Sequence, residues 1–116
     1  MRLVFLSLIL LGAHPALAKD FGTVLENFTP NPSTPEDYGW FLYVKGVNEG
    51  VFWHSTMTAV EFGERARLYC PPSKLAITEE NVIQIGKSYL VENPEAYTDH
   101  YGLRMLMAMQ ETFPCD

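Results

Sequence analysis

The chain has 116 residues, of which 47% are hydrophobic, and its formal charge is −6. This length predicts one domain with a hydrophobic core of moderate size. The acidic charge argues against nucleic acid and anionic membrane surfaces as partners, because both would repel the protein.

The first 18 residues have the three parts of a cleavable signal peptide. Arg2 is the positive start, an apolar run extends from Leu3 to Leu11, and Ala16 to Ala18 form a small-residue cleavage site. A membrane anchor is the alternative, but the run is shorter than the roughly 20 residues that span a bilayer. We expect export to a bacterial periplasm and a single mature domain of residues 19–116, with no membrane segment.

The mature chain begins with a weak helix signal and continues with a strong one. Residues 19–28 predict a short helix, and the three prolines of residues 29–35 predict a linker. Thr34 can cap a helix that begins with Pro35. This helix is expected to continue to about Trp53, with fraying after Val47 as the alternative.

Two features of this predicted long helix bear on binding. One side carries an apolar stripe, and three glycines fall beside one another next to it. Glycine is costly inside a helix, so the glycines suggest a groove where another helix or chain comes close. The aromatic residues are too numerous for one helix to bury, which predicts a protein–protein surface, with a homodimer interface as one form of it. The glycines are Gly39, Gly46 and Gly50, and the aromatic residues are Tyr38, Trp40, Phe41, Tyr43, Phe52 and Trp53.

Residues 54–69 lack a helical stripe and predict an exposed, irregular connection with mixed charge. Thr78 then caps a helix that ends near Asn93, and the sequence Asn93-Pro94-Glu95 starts a last helix, which bends around Gly102 and is stopped by Pro114. Met105 and Met109 are expected in the core, with Met107 more exposed. The pattern predicts an all-α bundle of three to four helices.

Cys70 and Cys115 are the only cysteines. An even number in an exported chain predicts one disulfide, with two free thiols as the alternative. The bond would staple the small bundle and would exclude Cys70 as a nucleophile.

No catalytic residue, metal ligand or cofactor is predicted. The chain contains none of the common nucleophile, zinc, phosphate-loop or calcium motifs. His54 and His100 have no metal-ligand spacing to other residues, and solvated surface positions account for both. The carboxylates at Glu79, Glu80, Glu92 and Glu95 fall at helix ends, where the helix dipole already explains them.

Six short motifs follow one another between about residue 38 and residue 115. They are Tyr43-Val44-Lys45-Gly46-Val47, Tyr69-Cys70-Pro71-Pro72, Ile77-Thr78, Ser88-Tyr89-Leu90, Asn93-Pro94-Glu95 and Phe113-Pro114-Cys115. Together they resemble the Tai/Rap-type immunity proteins of type VI secretion, which protect bacteria from peptidoglycan amidase effectors. Two features depart from the family. Asn27 or Phe28 and Trp40 stand where many relatives have a second cysteine pair, and Asn93 stands where many have histidine.

The resemblance implies a periplasmic, helical, often dimeric protein without catalytic activity that blocks an amidase by occupying its active-site groove. We expect the contact surface within residues 54–68, with Glu61, Glu64, Arg65 and Arg67 as its polar members. The alternative function is a small periplasmic chaperone of acid stress, which would dissociate or unfold at low pH and then bind many clients.

Overall fold

The computed structural model describes residues 19–116, so the predicted signal peptide lies outside the described residues. The described part is all-α, as predicted, and contains no β-strand. Its four α-helices are α1 (Phe21–Asn27), α2 (Pro35–Phe62), α3 (Glu79–Glu92) and α4 (Tyr101–Thr112), and two 3-10 helices cover Glu64–Ala66 and Pro94–Thr98.

The short helix α1 lies at the centre of the fold. Phe21 and Val24 are fully buried and Leu25 nearly so. The Phe21 ring stacks on Tyr101 of α4 and meets Tyr89 of α3 edge-on, each at a centroid distance of 6.1 Å. Burial of such aromatic side chains is a large contribution to a small core. The other helices are therefore assembled around α1.

Backbone hydrogen bonds fix the start of α1 against the start of α4. The Phe21 amide donates to the Asp99 carbonyl at 2.7 Å, and the Tyr101 amide donates to the Lys19 carbonyl at 2.9 Å. These bonds require extended backbone at Asp99 and His100. The last predicted helix is consequently divided into the 3-10 helix Pro94–Thr98 and α4, and does not simply bend at Gly102.

Helix α2 is longer than expected. The prediction of an irregular segment from residue 54 is wrong, and so is the alternative of fraying after Val47, because the helix continues to Phe62. Ser55 and Ala59 continue its buried side. The hydroxyls of Thr56 and Thr58 donate to carbonyls four residues earlier, at 3.0 and 2.7 Å, so these residues stay within helical geometry. Gly63, with φ at +94°, ends the helix in a conformation that favours glycine.

The predicted disulfide is present and joins Cys70 to Cys115, with their Cα atoms 5.0 Å apart. The Cys70 amide also donates to the Phe113 carbonyl at 2.8 Å. The segment after α2 is thereby fixed to the end of α4. Nearby, Tyr69 is buried, and burial raises the pKa of its hydroxyl.

A reciprocal cap begins α2, as predicted at Thr34. The Thr34 hydroxyl accepts from the Asp37 amide at 3.1 Å, and the Asp37 carboxylate accepts from the Thr34 amide at 3.2 Å. We expect Thr34→Ala to lower the free energy of unfolding by about 1 kcal/mol, because a helix N–H loses its partner. Urea denaturation followed by circular dichroism measures this change. Thr34→Ser keeps the hydroxyl and should lose much less; equal losses would contradict the assignment.

Candidate functional site

The last two turns of α2 expose apolar side chains. Met57, Val60 and Phe62 are 59%, 74% and 71% exposed, respectively. Single exposed apolar residues are ordinary. Met57 and Val60 lie on one face of the helix, one turn apart, whereas Phe62 falls on a different face at 100° per residue. Three exposed apolar side chains within so short a segment form a candidate interaction surface. We call residues 57–62 the α2 tip.

A charged turn follows the α2 tip. Arg67 donates twice to Glu64, from Nε to Oε2 at 2.7 Å and from Nη2 to Oε1 at 3.0 Å. These hydrogen bonds hold the pKa of the Glu64 carboxyl below its ordinary value. The pair closes the 3-10 turn, so its groups are already partly satisfied within the chain.

The structure brings the four predicted partner-binding residues together at one end of the molecule. Glu61 lies on α2, and Glu64 and Arg65 lie on the 3-10 turn just before Arg67. The prediction of an irregular connection is therefore wrong for Glu61, which lies within the α2 tip, whereas the other three residues do lie on a short connection after the helix. Glu61 and Arg65 are exposed and form no ion pair within residues 19–116. These two charges are the ones free to meet a partner.

A cleft of about 720 Å³ opens beside the 3-10 turn Glu64–Ala66. The second half of α2, the segment from Arg67 to Thr78 and the start of α3 line it, and the disulfide lies at its wall. Its lining mixes apolar side chains such as Val51 and Leu75 with polar ones such as Asn48 and Thr56. A cleft of this size and character can hold a short peptide segment or a loop.

Asn48 connects the cleft to the core. Its Oδ1 accepts from the Tyr101 hydroxyl at 3.2 Å, while its Nδ2 is buried and has no partner within the described chain. Burial raises the pKa of Tyr101, which keeps the hydroxyl protonated and able to donate. An unpaired buried amide donor is costly. Asn48 nevertheless joins the wall of the cleft to the buried Tyr101.

Ser55 attaches the charged turn to α2. It is 3% exposed, and its hydroxyl accepts from the Leu68 amide at 3.0 Å. We expect Ser55→Ala to lower the free energy of unfolding by about 1 to 3 kcal/mol, because the amide is left without a partner. Chemical denaturation measures the loss. Thr58→Ala is the control on the same helix and should change stability little; a similar loss there would show that the Ser55 bond is not the cause.

The other polar candidates do not converge. His54 and His100 are exposed and lie on different elements. Within residues 19–116, no three of the histidine, cysteine, aspartate and glutamate side chains gather as metal ligands would. The absence of a catalytic, metal or cofactor site stays a prediction. No helix of the described part is long and apolar enough to cross a membrane.

Sequence reasoning missed the apolar members of this surface. Met57 and Val60 are three residues apart, and with Trp53 they follow the i, i+4, i+7 pattern of one helix face. Treating residues 54–69 as irregular concealed this pattern. The surplus of aromatic residues did predict exposure correctly, since Tyr38, Phe52 and Trp53 are all exposed. Met107 is exposed as expected, and Met105 and Met109 are buried.

No protein-family model matches the chain, no curated protein matches it, and no solved structure matches it.

Proposed function

We propose that this chain is a non-enzymatic periplasmic binding protein that neutralises a peptidoglycan amidase effector of type VI secretion. The observation that supports the proposal best is the exposed apolar group at the α2 tip, flanked by Glu61 and Arg65. The ordered motifs shared with the Tai/Rap-type family supply the class of partner. Export by the signal peptide and recognition of a protein are parts of the same proposal.

The composition of the α2 tip suits a protein interface. Exposed large apolar side chains provide binding energy when a partner removes them from water, and flanking charges provide selectivity. Phe62 and Met57 are the natural anchors because each presents more than half of its surface. Methionine is also flexible enough to adapt to an irregular surface.

The shape of the α2 tip suits an enzyme groove. Hydrolases bind their substrates in concave clefts, and the end of a helix is a convex element that can fill one. Occupation of the groove would exclude the peptidoglycan peptide without any chemistry by the inhibitor. The cleft lined by Asn48 is a second place with room for a loop of the enzyme.

The proposal is tested by binding and inhibition of an amidase. The oxidised protein is used to isolate partners from periplasmic and secreted extracts, and any cell-wall hydrolase found is purified. We expect a stoichiometric complex in which hydrolysis of isolated peptidoglycan stops. Full hydrolysis in the presence of excess protein, for every amidase tested, would contradict the proposal.

Two valines give a matched pair of variants. Val60 on α2 and Val91 on α3 are 74% and 82% exposed. We expect Val60→Glu to weaken the amidase complex at least about tenfold, because a charge replaces an apolar contact, and Val91→Glu to leave it unchanged. Titration calorimetry measures both. Equal affinities for the two variants would move the interface away from the α2 tip.

Acid titration separates this function from the chaperone alternative. Backbone amides of Ser33 and Thr34 hold the pKa of Asp37 below its ordinary value. Because the folded pKa is the lower one, the stabilisation by Asp37 is present above the unfolded pKa and is lost only as the pH falls through the folded pKa. We expect unchanged helicity and oligomeric state from about pH 7 to about pH 5, where carboxyls remain ionised. Dissociation with capture of many unfolded clients in that range would favour the chaperone.

A further inference from the structure

The cleft of about 720 Å³ has an apolar floor. Tyr69, Val82 and Met109 line it and are buried, and they come from the segment after α2, from α3 and from α4. Phe52 and Leu75 also line the cleft, but they are 45% and 46% exposed. A partner in the cleft would therefore remove apolar surface from water, which favours apolar side chains on that partner.

The charged residues that line the cleft are mainly acidic. They are Glu49, Glu64, Glu79 and Arg67. Arg67 donates twice to Glu64, so this pair is satisfied within the chain. Glu49 and Glu79 form no ion pair within residues 19–116, and no lysine or histidine of that part lines the cleft. Two carboxylates are therefore free to meet a cation.

The helix dipole explains only one of these two carboxylates. Glu79 lies in the first turn of α3, where a carboxylate is favourable without any ligand, and Glu80 shares that position. Glu49 lies in the middle of α2 and is exposed, so no helix end accounts for it. An apolar floor with a carboxylate at its exposed edge suits a ligand that is apolar on one side and positively charged on the other.

The length of the cleft suits a short extended peptide. The lining residues of α2 run from Asn48 to Thr56, which is about 12 Å of helix at 1.5 Å per residue. About four extended residues cover the same distance, and their side chains point alternately to opposite faces. A segment that alternates apolar and basic residues would place the apolar side chains on the floor and the basic ones towards the edge.

The wall formed by residues 67–78 is held at several points before any ligand binds. The Leu68 amide donates to the Ser55 hydroxyl at 3.0 Å, and the disulfide joins Cys70 to Cys115. At the other end of the wall, the Thr78 hydroxyl accepts from the Asn81 amide at 3.2 Å and caps α3. A wall that is already ordered costs little conformational entropy on binding, which favours affinity for a short segment.

We propose that the cleft binds an extended peptide segment in which lysine or arginine alternates with large apolar residues. The apolar side chains contact Phe52 and Leu75 above the floor, and the basic side chains pair with Glu49 and Glu79. Applied to an amidase, the inference rests on the proposed function and predicts that the enzyme inserts a loop of this composition. As a binding preference of the cleft, it is tested with peptides alone.

Three capped peptides of about six residues test the composition of the ligand. One alternates lysine with leucine, one replaces each lysine by glutamate, and one replaces each leucine by serine. Amide chemical shifts of the oxidised protein are followed as each peptide is added. We expect the lysine–leucine peptide to bind with a dissociation constant of about 10 to 100 µM and to shift the amides of residues 67–79, with at least tenfold weaker binding of the other two.

Substitutions with equal changes of charge test the place of binding. Glu49→Gln together with Glu79→Gln should weaken the lysine–leucine peptide roughly tenfold, because two ion pairs are lost. Glu80→Gln together with Glu95→Gln removes the same charge from exposed positions that do not line the cleft, and binding should stay within about twofold.

The apolar contact has a matched pair of its own. Leu75→Ser should weaken the same peptide about fivefold, whereas Leu103→Ser, at an exposed position of α4 outside the cleft, should not. Equal affinities for the three peptides, equal losses in the two charge variants, or shifts confined to the α2 tip would overturn the proposal. Those results would leave amidase binding through the α2 tip intact, and failure to inhibit any amidase would leave peptide binding by the cleft intact.

Discussion

Phe21→Ala is expected to lower the free energy of unfolding by about 3 to 5 kcal/mol, the loss found for large buried aromatic residues. Phe21 is completely buried and packs against Tyr89 and Tyr101, so its removal leaves a cavity between three helices. The free energy of unfolding of a domain of this size is about 5 to 15 kcal/mol in total, so this substitution should remove a large share of it. Denaturation at a fixed protein concentration measures the change.

Phe62→Ala is the matched control for this prediction. The same side chain is removed, but Phe62 is 71% exposed, so stability should change by less than about 0.5 kcal/mol. Because both variants remove the same side chain, a difference between their losses of stability reports the burial of the residue and not its type. Equal losses for the two variants would show that α1 does not form the centre of the core.

The double substitution Cys70→Ser with Cys115→Ser should cost about 4 kcal/mol. The disulfide closes a loop across 45 positions of sequence, and the chain-entropy model assigns that amount to a loop of this length. The unfolded chain gains freedom once the two ends are released. Denaturation curves of the oxidised protein and the double variant measure the difference.

Reduction supplies the control for the disulfide. Treatment with a thiol reductant should lower the stability of the natural protein by a similar amount and leave the double variant unchanged. A double variant as stable as the oxidised protein would show that the bond does not limit the unfolded chain. Loss of stability by the double variant on addition of reductant would point to an effect unrelated to the bond.

The fold class and the helix starts could be predicted because they depend on local chemistry. Thr34 and Thr78 accept hydrogen bonds from amides three residues later, as capping residues do. The end of α2 could not be predicted from local pattern. Residues such as His54 and Thr56 have weak helix propensity, and the packing of Ser55 and Ala59 decides their conformation.

The charged members of the candidate site could be predicted from the sequence, whereas its apolar members and its cleft could not. Glu61 and Arg65 can be identified from the sequence as charged residues, and both are exposed at or just after the end of α2. The apolar anchors depend on which side of α2 faces the core, and that requires the length of the helix to be known. The cleft lies between α2 and the segment that follows it, which is attached to α2 by the hydrogen bond from the Leu68 amide to Ser55, and no local pattern encodes that packing.

The central position of α1 has a consequence for how the chain can acquire its structure. The side chain of Glu26 accepts from the Tyr97 hydroxyl, 71 residues later, and the Phe21 amide donates to Asp99. A chain that emerges from the ribosome or a translocon with its N-terminus first therefore carries its core residues exposed until the last helix has followed. Contacts between residues so far apart in the sequence require the closure of a long loop, which slows folding. An unfolded chain is also the form that can thread a narrow pore, so late folding would be compatible with the export proposed above.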